Sequence, residues 1–152
     1  MNYDEMLRLE QSKKTRKKQT YGESNLQQKC VKWFDSEYPE KKMLMHHSPN
    51  EGIRTAFQGG IAKSMGMRRG FPDLILLVPR VFRTSWDELE VYGYLAIEMK
   101  EGKGSQTKEQ KEYEKLMNES GGCYVVVKDL KTFQDVVKAY LELNDMSPWM
   151  RK

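Results

Sequence analysis

Apolar side chains recur along this chain in two rhythms, one of amphipathic helices and one of buried strands. Leu26, Cys30, Val31, Trp33 and Phe34 fall at helical spacing between a capping Ser24 or Asn25 and the terminating Pro39, so a helix is expected from Ser24 to about Tyr38. The short apolar-leaning run Met43 to His47 enters the turn signal Ser48-Pro49-Asn50-Glu51-Gly52, which reads as a strand ending in a loop. A second helix is expected over Ile53 to Met65. Gly59-Gly60 inside it costs about 2 kcal/mol relative to alanines, so a late start or a break at that pair is expected.

Phe71 to Pro79 is a continuous β-favouring run bounded by prolines, and its lack of polar alternation predicts a strand covered on both faces. Tyr92 to Lys100 reads as another strand, joined to the first by the polar stretch Arg80 to Val91. Gly102 and Gly104 then punctuate the chain. Ser105 or Thr107 caps a helix to about Ser120, with Tyr113, Leu116 and Met117 facing inward, and Gly121-Gly122 ends it. Cys123 to Val127 is a third buried strand, and Phe133, Val136, Val137, Tyr140 and Leu141 mark a closing helix. The order of elements predicts an α/β sandwich in which a mixed sheet is flanked by helices.

Length changes this picture only by limiting it: 152 residues accommodate one core, so an active site must be assembled within one unit or between copies of it. Charge is more informative by position than by sum. The formal net charge is +4, and residues 1–20 hold six basic residues against three acids with almost no apolar side chain after Leu9. They are expected to form a flexible basic arm, either a solvated terminus or, through Lys13, Lys14, Lys17 and Lys18, a phosphate-binding one. Residues 21–143 would be the folded domain and 144–152 a tail, with Met146, Pro148, Trp149 and Met150 outside the periodic core. No apolar run is long enough for a membrane span and no signal peptide is legible, so a cytoplasmic protein is expected. Cys30 and Cys123 both sit in apolar stretches and read as reduced core thiols.

Candidate chemistry gathers at strand ends. Asp73 opens one buried strand, and Glu98 and Lys100 close the next, where a period of two sets them on one face with Met99 turned into the core. If the two strands pair as a hairpin, Asp73 lies opposite the end of the second, and all three groups meet at one edge of the sheet. Two carboxylates so close repel unless a cation lies between them, and an all-oxygen site suits Mg²⁺ or Mn²⁺. The plainer alternative is an ion pair of Asp73 or Glu98 with Lys100. Gln110, on the helix that follows, could orient a water or contact a phosphate, whereas Gln106 reads as part of an exposed helix face. Glu23 near a helix N-terminus is favoured by the dipole whatever its task. Lys63, Arg68 and Arg69, among glycines, form a basic lead-in to Asp73. His46 and His47 point to opposite faces of a strand and make no zinc site. No Walker loop, dinucleotide fingerprint or Gly-x-Ser-x-Gly elbow is present, so no nucleotide cofactor is expected.

Taken together, Gly66-x-x-x-Gly70-Phe71-Pro72-Asp73-Leu74, Ile97-Glu98-Met99-Lys100, Ser105-x-x-x-x-Gln110 and Gly121 to Val127 resemble the virus-type replication-repair nuclease (VRR-NUC) domain. That domain is a branch of the PD-(D/E)xK superfamily with a restriction-endonuclease-like core. The resemblance extends over about residues 22 to 142 and includes the Pro49-Asn50-Glu51-Gly52 turn. It implies a Mg²⁺- or Mn²⁺-dependent phosphodiesterase acting on DNA. Asp73, Glu98 and the backbone carbonyl of Met99 would be metal ligands, and Lys100 would polarise the attacking water. Gln110 would support the site, Glu23 would match the acid on the family's first helix, and Lys63 falls where the family often has a basic residue.

Stand-alone domains of this size are typical of phages and prophages and resemble dimeric Holliday-junction resolvases. The expectation is therefore a structure-specific endonuclease on branched DNA, acting as a homodimer. A nucleic-acid-binding subunit that cuts little by itself, or a flap or nicking nuclease, is the alternative. The connection Arg80 to Val91 is longer than the family's usual link and carries Trp86, Asp87, Glu88 and Glu90, so it is expected to point away from the phosphates, into a dimer contact.

Overall fold

The computed structural model describes residues 21–49 and 55–143. The first helix, α1 (Tyr21–Glu37), runs into a short 3-10 helix (Pro39–Leu44) and strand β1 (Met45–His47). Helix α2 (Ala56–Ser64), strand β2 (Leu74–Leu76) and two further strands, β3 (Arg80–Arg83) and β4 (Leu89–Tyr92), follow. Strand β5 (Leu95–Met99), helix α3 (Lys108–Glu119), strand β6 (Cys123–Val127) and helix α4 (Leu130–Leu141) complete the order.

The main sheet has strand order β1-β2-β5-β6, with β1–β2 and β2–β5 antiparallel and β5–β6 parallel. This is the expected mixed sheet. Alternation along β5 divides the core: Leu95, Ile97 and Met99 join Cys30, Phe34, Phe133 and Val137 beneath α1 and α4. Ala96 faces the other way, with Ile75, Met117 and Tyr124 beneath α3. Glu98 and Lys100 share the parity of Ala96, so the strand's period of two aims both at the α3 layer. The periodic residues of α1 and α4 meet each other directly, with the Trp33 and Phe133 rings edge to face at 5.9 Å. Both cysteines are free thiols, Cys30 buried and Cys123 packed against the same core.

Several boundaries differ from the sequence expectation: α1 starts at Tyr21, ahead of the expected caps Ser24 and Asn25, and Met43 and Leu44 belong to the 3-10 helix, so β1 begins only at Met45. The strands expected over Phe71–Pro79 and Tyr92–Lys100 contract to β2 and β5. Pro72 and Pro79 cannot donate to a ladder, and the N–H of Gly93 turns aside to the carbonyl of Gly121. Helix α2 passes through Gly59-Gly60 without a break. Thr55 and Gln58 form a reciprocal capping box at its start, which offsets about 1 kcal/mol of the glycine cost.

The polar stretch Arg80 to Val91 is not a loop: β3 and β4 pair as an antiparallel hairpin in a second, two-stranded sheet. Asp87 takes φ +64 at its turn, a left-handed conformation that aspartate tolerates, and accepts a hydrogen bond from Arg83 at 2.9 Å. The hairpin leaves the end of β2 opposite to Asp73, and the stacked Tyr92 and Tyr140 rings hold its base against α4. Among the described residues, no helix is long and apolar enough to cross a membrane.

Candidate active site

The site begins where β2 stops pairing. Leu74 is opposite Ile97, which sets Asp73 opposite Glu98 at the end of the sheet. The Asp73 carboxylate takes over there, and its Oδ2 accepts the backbone N–H of Met99 at 2.7 Å. In an extended strand the N–H and C=O of one residue face the same neighbour, so the Met99 carbonyl also opens toward Asp73. Met99 buries its own side chain in the core, as the strand period requires.

Gly70 fixes the approach to this edge. It adopts φ +80, and a Cβ on it would stand 2.7 Å from Cβ of Glu109 and 2.9 Å from the backbone nitrogen of Gln110. Only glycine allows the lead-in to lie so close to the first turn of α3. Phe71 then packs edge to face on Tyr113 at 5.5 Å, which seats α3 over the carboxylates.

Glu98 is 1% exposed and Lys100 8% exposed, an unusual burial for two charged side chains. They bond to each other, with Lys100 Nζ donating to Glu98 Oε1 across 3.0 Å. The same Oε1 accepts from the side-chain amide of Gln110. Gln110 also completes the capping box of α3 by accepting the N–H of Thr107 at 2.8 Å. Glu98 Oε2 is buried with no hydrogen-bond partner. Burial first, and then the charge of Asp73, push the Glu98 carboxyl up to about 7, against the opposing bond from Lys100. An orphaned carboxylate oxygen beside a second carboxylate is unfavourable by itself and has the hard-oxygen chemistry that a divalent cation takes.

Among the described residues, no three His, Cys, Asp or Glu side chains gather as a metal cluster. Two carboxylates and a backbone carbonyl are nonetheless a fitting set for Mg²⁺, which retains water and takes further oxygens from a bound phosphate.

Of the residues singled out in the sequence, Asp73, Glu98, Met99, Lys100 and Gln110 are brought together. Glu23 is not within that cluster but lines the same cavity as Asp73 and Met99. Arg69 lines a smaller cavity of about 200 Å³ with Asp73, Thr107 and Gln110. Lys63 and Arg68 line neither cavity; Arg68 turns back to donate to the carbonyls of Lys63 and Met67. Gln106 precedes the helix and donates to Glu114 at 2.9 Å, in place of the exposed helical position expected for it. Lys13, Lys14, Lys17 and Lys18, the tail, and Asn50, Glu51 and Gly52 of the expected turn lie outside the described residues.

His47 and Gln27 were not foreseen as part of this site. His47 Nδ1 lies 2.8 Å from Gln27 Nε2 and 3.1 Å from the carbonyl oxygen of Asp73, linking α1 and β1 to the residue that carries the first carboxylate. The sequence marks this position only by the His46-His47 pair, one member of which must face each side of β1.

Comparison with known proteins agrees with the motif. The family model of the VRR-NUC domain matches residues 8–128. A solved structure named VRR_NUC domain protein is similar with a TM-score of 0.64 at 28% identity, covering 81% of this chain and 90% of its own. No functionally curated protein matches. With Asp73, Glu98 and Lys100 gathered at the ends of the neighbouring strands β2 and β5 and the family model spanning most of the chain, this protein belongs to the VRR-NUC family of nuclease domains.

Proposed function

We propose that the chain is a Mg²⁺- or Mn²⁺-dependent endonuclease that hydrolyses phosphodiester bonds in branched DNA and works as a homodimer. The observation that carries the reading is the unpartnered, buried Oε2 of Glu98, set beside Asp73 and Lys100 at the end of the sheet. Asp73, Glu98 and the Met99 carbonyl would hold the cation, with Glu23 facing it from α1. Such an ion supplies Lewis-acid stabilisation of phosphate charge and makes water a better nucleophile near neutral pH.

The chain's own residues do the rest. Lys100 keeps a positive charge where negative charge builds on the attacking and phosphate oxygens. Gln110 and Lys100 fix the rotamer of Glu98, so the carboxylate does not reorganise as the reaction proceeds. The Asp73 to Met99 bond does the same for the first carboxylate. Arg69, exposed at the mouth of the smaller cavity, is positioned to meet a phosphate of the substrate.

The likeness of the motif set to stand-alone junction-cleaving domains supports branched DNA, and symmetric cleavage of a four-way junction calls for two copies about a two-fold axis. The test is side-by-side cleavage of junction, flap, duplex and single-stranded substrates in Mg²⁺, Mn²⁺ or EDTA, with light scattering on the same sample. Metal-dependent cutting of the junction by a dimer is expected. A monomer that prefers flaps or nicks would overturn the junction assignment, and binding without cleavage in either metal would overturn the nuclease assignment.

A further inference from the structure

A cavity of about 810 Å³ opens at Asp73 and Met99 and extends along α1 to the 3-10 helix. It is far larger than a metal and one phosphate require. Among the described residues its lining is mostly hydroxyl, amide and charged, with Val31 and Met99 as apolar members; no Phe, Tyr or Trp lines it, and its one imidazole, His47, is engaged by Gln27 and the Asp73 carbonyl, so it offers no broad platform on which bases could stack. Both lysines of the lining stand at one end of it, beside the carboxylate of Asp35. Glu23 and Asp73 stand at the end near the site, and Lys32 and Lys42 at the other, where Lys42 lies 3.5 Å from Asp35. Lys32 is nine residues beyond Glu23 on α1, about 13 Å of helical rise, or roughly four base steps along a duplex axis. The Gln27–His47 contact ties the two walls together and to the Asp73 carbonyl, so the groove keeps a fixed relation to the first carboxylate.

We infer that this groove carries the sugar-phosphate backbone of the DNA strand leading away from the cleaved linkage, with Lys32 and Lys42 as phosphate contacts several nucleotides from it. The inference rests on the nuclease reading and deepens it by assigning the strand's path. Recognition through lysines, serine hydroxyls and glutamine amides positions a backbone and reads no base, so this part of the binding is independent of sequence.

The experiment measures binding of a fluorescein-labelled four-way junction by anisotropy in EDTA, from 50 to 200 mM salt, on the full chain. Lys32→Ala/Lys42→Ala is compared with Lys115→Ala/Lys131→Ala, which removes the same charge outside the groove. Loss of two phosphate contacts is expected to lower the slope of log affinity against log salt by nearly 2, so that the wild-type advantage shrinks about tenfold across that range. The control pair is expected to match wild type, and Lys32→Arg/Lys42→Arg to restore the slope. Equal slopes for the two alanine pairs, with wild type still cleaving in Mg²⁺, would overturn the groove assignment alone. A groove-specific slope change in a protein that cuts no DNA in either metal would instead overturn the nuclease reading.

Discussion

Gln110 joins two functions in one side chain: its carbonyl oxygen caps the start of α3 by accepting the N–H of Thr107, and its amide donates to the buried carboxylate of Glu98. Helix capping and site geometry are therefore coupled. Gln110→Ala is expected to lose about 2 kcal/mol of stability in urea denaturation, from the cap and from a hydrogen bond to a charged acceptor. Gln110→Glu keeps a residue able to complete the cap but sets a second negative charge against Glu98. Its cleavage rate should fall at least tenfold while its urea midpoint stays above that of the alanine variant. Undiminished cleavage by the glutamate variant would separate Gln110 from the site.

Glu98 makes the metal-free protein sensitive to pH. Its carboxyl is raised from 4.5 to about 7, so the folded state holds this proton more tightly than the unfolded state does. The resulting contribution is fully present below about pH 4.5 and is lost as pH rises through about 7, a change of about 3 kcal/mol. In EDTA, Glu98→Gln should flatten that decline and be the more stable protein at pH 8. Parallel stability profiles for wild type and variant would contradict the burial of an ionisable carboxyl at this position.

Mg²⁺ or Mn²⁺ should raise the thermal midpoint of the wild-type protein at pH 8 without any DNA present, because a ligand that binds only the folded state stabilises it by mass action. Asp73→Ala and Glu98→Ala should each abolish most of that shift. A shift retained in both variants would place the cation elsewhere.

Gly70→Ala is expected to cost about 2 to 4 kcal/mol, since it combines a left-handed backbone with a Cβ forced against the backbone of α3. Because Gly70 sets the distance from the lead-in to α3, cleavage should fall even where the variant remains folded at low temperature. A variant as stable and active as wild type would mean that this approach can relax freely.

The basic arm provides a separate test. Deleting residues 1–19 should weaken DNA binding and flatten its salt dependence while sparing cleavage at saturating DNA, as removal of phosphate contacts remote from the chemistry requires. Unchanged affinity would return the arm to a merely solubilising role.

Much of the site was legible in the sequence because it depends on strand periodicity. Once two buried strands are taken as antiparallel neighbours, Glu98 and Lys100 must share a face, and Asp73 must fall at the same edge. The β3–β4 hairpin was not legible, since its turn uses Asp87 in a left-handed conformation without the Asn-Gly or Asp-Gly pair that usually announces one. The continuity of α2 was hidden by Gly59-Gly60; the compensating cap at Thr55 and Gln58 was the overlooked local signal. The part played by His47 is tertiary: it arises only when β1 aligns His47 with Leu74, next to Asp73. Likewise, the double use of Gln110 depends on how closely Gly70 lets the lead-in approach α3.

If Asp73 and Glu98 form one cation-dependent cutting site, single-turnover cleavage of a four-way junction in Mg²⁺ by purified Asp73→Asn and Glu98→Gln exposes it. Both substitutions keep side-chain shape, and folding is checked on each sample by circular dichroism. Each variant is expected to bind the junction still and to cut it at least a thousandfold more slowly, about 4 kcal/mol in activation free energy. Cleavage at the wild-type rate by either folded variant would contradict such a site.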